Sequence, residues 1–310
     1  MKKILFSALA VVLCGSMMAQ NSAVLKLNLE KNKVYKHKSN SDLNITQSVN
    51  GMQQAQQMKN QSYLSIKMVD SKPEFMIAEV RFDSIVTKIN AMGQTIVNNS
   101  NKPGDMKSAN AAEITSAILN RFCNNPLFVK MDYSGKVLEV VNLKMFSDVV
   151  TKGLDSAKVD PSTKNQLTSM VKLEAIKPSI EGAYALLPGK SVNIGDTWEV
   201  SNTINSNGMN LTSTSKFKLV SLSNNVATLA AESNIAAIGG KPMETNGMKI
   251  NYDDLKGLGK STILVDMKTG LIKDVTGKSN IAGNLSLDMA GTNMQIPLEI
   301  QIESKVEPIQ

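Results

Sequence analysis

Asp42-Leu43-Asn44-Ile45-Thr46-Gln47-Ser48-Val49 alternates polar and apolar side chains residue by residue, and Asn50-Gly51 follows at once. Successive strand residues point to opposite faces, so this alternation predicts a strand with one face buried and one wet. Asn-Gly tolerates the positive φ angles of a tight hairpin turn, so a second strand is expected to fold back directly. The same period extends on both sides. Leu25, Leu27 and Leu29 share a face in Val24–Glu30, and Tyr63–Val69 and Phe75–Ile89 alternate likewise.

The period changes in the middle third. Asn110, with Glu113 three residues on, fits a capping box for a helix carrying Ile114, Ala117, Ile118 and Phe122. A hairpin over Phe128–Val141 comes next, then Asn142 as the cap of a helix carrying Leu143, Phe146, Val149 and Val150. Asp160-Pro161 opens a third helix with Leu167, Met170 and Val171 on one stripe, and Pro178 is expected to stop it. Beyond Leu187-Pro188-Gly189 the β pattern returns, in long segments separated by turn signals such as Asn224-Asn225 and Thr269-Gly270. Long antiparallel strands favour curvature. The expected fold is mainly β (α+β): a long curved antiparallel sheet or open half-barrel with a central block of about three amphipathic helices.

Lys2 and Lys3 precede an apolar run, Ile4–Leu13, and a small-residue stretch ending at Ala19, which is the layout of a secretory signal peptide. The run is too short for a membrane-spanning helix. Acylation at Cys14 is the weaker alternative, because Leu13 stands where that signal needs a small residue. The expected organisation is a signal peptide over 1–19 and one β-rich domain over 20–310. That domain divides into N-terminal strands (20–109), a helical insert with a hairpin (110–187) and C-terminal strands (188–310). Export to the periplasm, the outer membrane or beyond follows.

Loss of Lys2 and Lys3 lowers the formal charge from +7 to +5. The positive charge is nearly all lysine, with Arg81 and Arg121 the only arginines, and aromatics are sparse. Nucleic-acid binders depend on arginine forks and stacking platforms, so no nucleic-acid partner is expected. After cleavage Cys123 is the one cysteine and His37 the one histidine. They read as a core thiol and a solvated strand residue rather than as a nucleophile and its base. No catalytic residue, metal site or cofactor is assigned.

Gly257-Leu258-Gly259-Lys260-Ser261-Thr262 mimics the end of a phosphate-binding loop, but a β-branched run follows where a helix is required. Met131–Val137 and Val265–Ile272 echo one another as Asp-to-Gly hairpin turns, with too few oxygen ligands for calcium. Asp83-Ser84-Ile85 and Asp155-Ser156-Ala157 fit a three-residue O-glycosylation pattern of exported proteins. The methionines read as adaptable core filling.

Leu186-Leu187-Pro188-Gly189-Lys190-Ser191-Val192-Asn193-Ile194-Gly195-Asp196-Thr197-Trp198 resembles a Leu-Pro-x-Lys-x-Val-x-x-Gly-Asp-x-Trp stretch. That stretch belongs to secreted proteins of Bacteroidota grouped as the DUF6263 family. The Asp132-to-Val137 turn and the Gly257-to-Ile272 segment look similar to the family too. The resemblance implies export and brings neither an activity nor functional residues. The layout is also similar to that of periplasmic lipid and lipoprotein carriers, whose helices line the concave side of a half-barrel.

The expected function is a non-enzymatic envelope carrier or chaperone for a lipid or other apolar ligand. Its candidate lining residues are Leu143, Phe146, Val149, Val150, Leu167 and Met170. A structural or interaction protein of the outer envelope, binding protein or glycan, is the alternative, and a carboxylate-based hydrolase the third reading.

Overall fold

The computed structural model describes residues 21–310 apart from 50, 207–208, 240–242, 246–247, 253, 290–291 and 310. The expected signal peptide and Cys14 lie outside the described residues. The chain opens with a short strand, β1 (Ser22–Val24), and four longer ones, β2 (Val34–Val49), β3 (Met52–Ser71), β4 (Met76–Ala91) and β5 (Gln94–Asn99). Helix α1 (Ala111–Asn124), the hairpin β6 (Leu127–Met131) and β7 (Val137–Val140), and helices α2 (Leu143–Thr151), α3 (Pro161–Ser169) and α4 (Leu173–Tyr184) form the middle. Then come β8 (Ser191–Asn193), β9 (Thr197–Ser206), β10 (Met209–Ser223), β11 (Val226–Ala237), β12 (Met243–Thr245) and β13 (Met248–Asn251). The chain ends in β14 (Lys256–Asp266), β15 (Ile272–Met289) and β16 (Thr292–Ile309).

The fold is the expected one, a large curved antiparallel sheet with a helical block. Fourteen strands form the main sheet, in the order β7-β6-β4-β3-β2-β16-β15-β14-β11-β10-β9, with β5, β12 and β13 added at its margins. Strands β7 and β9 end that order and do not pair with each other, so backbone hydrogen bonds leave the barrel open. Helix α4 packs against both of these edges. On one side the Val137 N–H donates to Glu181 Oε1 at 2.9 Å. On the other the Trp198 indole N–H donates to the Leu186 carbonyl at 2.9 Å. A helix thus stands where the barrel lacks strands, and it covers edges that would otherwise be free to recruit other chains.

Among the described residues four helices replace the three expected. Pro178 lies inside α4 instead of ending the preceding helix. The missing proline N–H costs one backbone bond, and the burial of Ile176, Ile180 and Tyr184 on one stripe outweighs it. Two expected caps also differ. Asn110 does cap α1, its side chain accepting from the Ala112 N–H, but the Asn110 N–H donates to Ser108 Oγ and not to Glu113. Asn142 makes no capping bond. Its amide instead accepts from the Phe128 N–H at 2.8 Å and donates to the Pro126 carbonyl at 2.9 Å, fixing the start of β6.

The N-terminal segment is a strap. β1 pairs with β8, after which the chain leaves ladder geometry. Its amides stay bonded: Leu25 to the Lys190 carbonyl, Leu27 to that of Tyr133 and Asn28 to that of Thr269. Tyr133 and Thr269 belong to the two echoed turns, which therefore grip the strap from two hairpins. In each turn Asp132 or Asp266 accepts backbone N–H groups with its carboxylate, and Gly135 or Gly270 supplies a positive φ, +92° and +74°. Leu25, Leu27 and Leu29 are buried by the strap, each contributing roughly 1.5–3 kcal/mol of apolar burial.

Candidate functional site

Helix α4 presents two stripes. Ile176, Ile180 and Tyr184 enter the main core. Beside them Ser179, Gly182 and Ala183, the first two exposed, share a stripe at helical spacing, and Leu186 continues it just past the helix.

The sheet answers mostly with small residues. Next to Phe217, and paired with it in one row across six strands, come Ala231, Ser261, Gly277, Ser304 and Ser41. The neighbouring row runs Ser215, Ser233, Gly259 and Ser279, and the Oγ atoms of Ser215 and Ser233 lie 2.7 Å apart. Glycine leaves room here for the hydroxyls of neighbouring serines. A Cβ on Gly259 would fall 2.5 Å from Ser279 Oγ, and one on Gly277 would fall 2.9 Å from Ser304 Oγ. These rows separate the main core from a second apolar cluster that includes Leu211, Ile235, Leu255, Ile281 and Ile300.

Between the α4 stripe and these rows lies a cavity of about 490 Å³. Its apolar wall includes Leu64, Phe82, Phe217, Ile263, Val275 and Val306, and its polar wall Ser39, Ser62, Ser215, Ser233, Ser261 and Ser304. Gly182, exposed on α4, also lines it, and an added Cβ there meets nothing within 4 Å. A volume of this order, with an apolar lining and a few polar groups, is what small-molecule sites require.

A second chamber of about 620 Å³ adjoins it, and His37, Ala183 and Ile272 line both. His37 is half-buried, not solvated, and burial pulls its pKa down to about 4, so it is neutral at neutral pH. The Tyr184 ring meets it edge-on. The Tyr184 hydroxyl is buried without a hydrogen-bond partner among the described residues, and burial raises its pKa. Cys123 is buried away from these chambers and its thiol pKa is raised by burial, which keeps it unreactive.

The six side chains proposed from sequence sit elsewhere. Phe146, Val150 and Leu167 are core residues, and Leu143 and Met170 pack partly buried against that core. Val149 is 42% exposed. None of the six lines either chamber. Sequence reasoning missed Ser39, Ser62, Ser215, Ser233, Ser261, Ser304 and the α4 stripe. The available signal was parity: each serine shares the alternation of inward-facing apolar residues on its own strand.

The other motifs also resolve. The Gly257–Thr262 stretch lies in β14, as a strand. Ser84 is buried within β4 and its hydroxyl is inaccessible, which removes it as a glycosylation acceptor; Ser156 is exposed in a turn after α2. Among the described residues no group of three or more His, Cys, Asp or Glu side chains is placed to hold a metal ion. No helix among them is long and apolar enough to cross a membrane.

A model of a protein family of unknown function, DUF6263, matches residues 73–272. The chain belongs to this family. The DUF6263 region contains all four helices and the strands that supply Ser215, Ser233 and Ser261; Ser39, Ser62, Ser304 and His37 lie outside it. No curated protein matches the chain. Among solved structures the chain is similar to lipovitellin, studied for its lipid–protein interactions, at 8% identity and a TM-score of 0.44. That match covers 91% of this chain and 26% of the other, so the chain spans about a quarter of its length. An outer-membrane channel from Pseudomonas putida F1 matches at 6% identity and a TM-score of 0.26, over 91% of this chain and 97% of that one.

Proposed function

We propose that this member of DUF6263 is an exported, non-enzymatic carrier of the cell envelope that holds a lipid-like molecule between α4 and the sheet. One observation carries the reading: a cavity of about 490 Å³ lies between α4 and the sheet, its wall divided between apolar side chains such as Leu64, Phe82 and Ile263 and a rank of serines. Gly182, exposed on the α4 side, adds no side chain to that space. The mixed lining suits a molecule with an apolar body and ester or hydroxyl groups within reach of the serine hydroxyls.

Trp198 provides a direct test. It is the one tryptophan in the chain and stacks on Phe217 at 5.8 Å between ring centroids, and Phe217 lines the cavity. Titration with 1-lauroylglycerol below its critical micelle concentration should shift Trp198 emission saturably. Gly182→Leu should weaken that response at least tenfold while leaving the unfolding midpoint unchanged or raised. An unchanged affinity in the folded variant would show that the cavity is not where the molecule binds.

A further inference from the structure

The chamber that shares His37, Ala183 and Ile272 with the serine-walled cavity has an excess of positive charge. Lys33, Lys36, Lys268 and Lys273 line it against two carboxylates, Glu30 and Asp266. Both carboxylates are already engaged. Glu30 accepts a hydrogen bond from Lys33 Nζ at 2.8 Å, and Lys268 adds a weaker favourable charge. Asp266 is turned into its own hairpin, its Oδ1 accepting from the Lys268 backbone N–H at 2.8 Å. The ammonium groups of Lys36 and Lys273 have neither a hydrogen bond nor an ion pair among the described residues, and Lys268 has only the distant pull of Glu30.

A second observation is what the chamber adjoins: His37, Ala183 and Ile272 are shared with the serine-walled cavity, whose other wall is apolar. Three cations without close partners next to that cavity form an asymmetric pair of compartments, one suited to charge and one to a hydrocarbon body.

We propose that the lysine-lined chamber seats the anionic head, a carboxylate or phosphate, of an amphiphile whose chain occupies the serine-walled cavity. This rests on the carrier reading and adds the class of head group to it. Three lysines around one anion give an attraction that salt screens, whereas burial of the chain is insensitive to moderate salt.

Laurate and 1-lauroylglycerol share an acyl chain and differ in head charge, so they separate the two contributions. Binding of each, below its critical micelle concentration, is followed by Trp198 emission and by calorimetry. Wild-type protein should prefer laurate at least tenfold at low ionic strength and lose most of that preference in about 0.3 M salt. In Lys36→Gln/Lys268→Gln/Lys273→Gln the preference should vanish while 1-lauroylglycerol binds as before. All three lysines are exposed, so this variant should fold normally.

Equal wild-type affinities would overturn the anionic head and leave the carrier reading standing. A laurate preference that survives in the triple variant would overturn the assignment to these lysines. Inorganic phosphate binding as tightly as laurate would mark the chamber as a small-anion site and overturn the amphiphile. Failure of both acyl compounds to bind would overturn the carrier reading together with this one.

Discussion

His37 and Tyr184 meet edge to face, 5.5 Å between ring centroids and 80° between planes, where α4 crosses the inner face of β2. The contact keeps the chain's one histidine neutral, because burial opposes its charged form and no carboxylate faces it closely enough to compensate.

This contact predicts a pH dependence. The folded pKa is about 4 against 6.5 for an unperturbed histidine. Below pH 6.5 the unfolded chain therefore binds a proton that the folded chain refuses, and stability falls as the pH falls towards 4. By pH 5 the loss should be about 2 kcal/mol. Urea unfolding at pH 7 and pH 5 checks this, and His37→Gln should remove most of the difference. A wild-type protein equally stable at both values would mean that His37 titrates normally in the fold.

Gly182→Ala should stabilise the protein by about 0.5–1 kcal/mol. The residue is helical, its Cβ would meet nothing within 4 Å, and alanine has the better helix propensity. Thermal unfolding reads the change directly, and a lower midpoint would mean that the space beside Gly182 is narrower than described.

Two turn glycines should behave in the opposite way. A Cβ on Gly135 would lie 2.1 Å from the Tyr184 carbonyl, and one on Gly270 would lie 2.2 Å from that of Lys26. Both also have positive φ. Gly135→Ala and Gly270→Ala should each cost more than about 2 kcal/mol, adding displacement of docked backbone to conformational strain. Gly153→Ala is the control: its φ is +82° but no atom lies within 4 Å, so it should cost about 1 kcal/mol. Similar losses at all three sites would remove the two turns as clamps on the strap and α4.

Phe146→Ala should cost about 3–5 kcal/mol in chemical denaturation. Its ring is 2% exposed and meets that of Phe122 at 5.1 Å. In the cold, where the variant stays folded, its affinity for 1-lauroylglycerol should match wild type, because Phe146 does not line the cavity. A selective loss of binding would return α2 to the site.

The architecture was legible because a period of two survives through most of the strands and a helical period interrupts it once. Less legible was the fourth helix: Pro178 is a strong local stop signal, and only the buried stripe Ile176, Ile180 and Tyr184 overrides it. The site was legible in principle but was sought on the most apolar stripes. Those stripes of α2 and α3 close the core, as hydrophobic density ordinarily does. The cavity lies where apolar residues give way to small ones, at Ser39, Ser233 and Ser261 in strands and Gly182 in a helix, and smallness in one sequence does not distinguish a cavity from a close approach. Gly259 and Gly182 show the difference: one would collide with Ser279, the other faces open space. His37 could have been placed by parity, since it shares the alternation of Tyr35, Leu43 and Ile45.

In the proposed function a lipid-like molecule fills the space between α4 and the sheet. Native mass spectrometry of residues 20–310, purified from the envelope of an expressing cell, tests this most directly. The expected result is an adduct of lipid mass that solvent extraction removes and that is absent from folded Gly182→Leu. A bare polypeptide mass in the wild type, or an adduct carried equally by the variant, would contradict it.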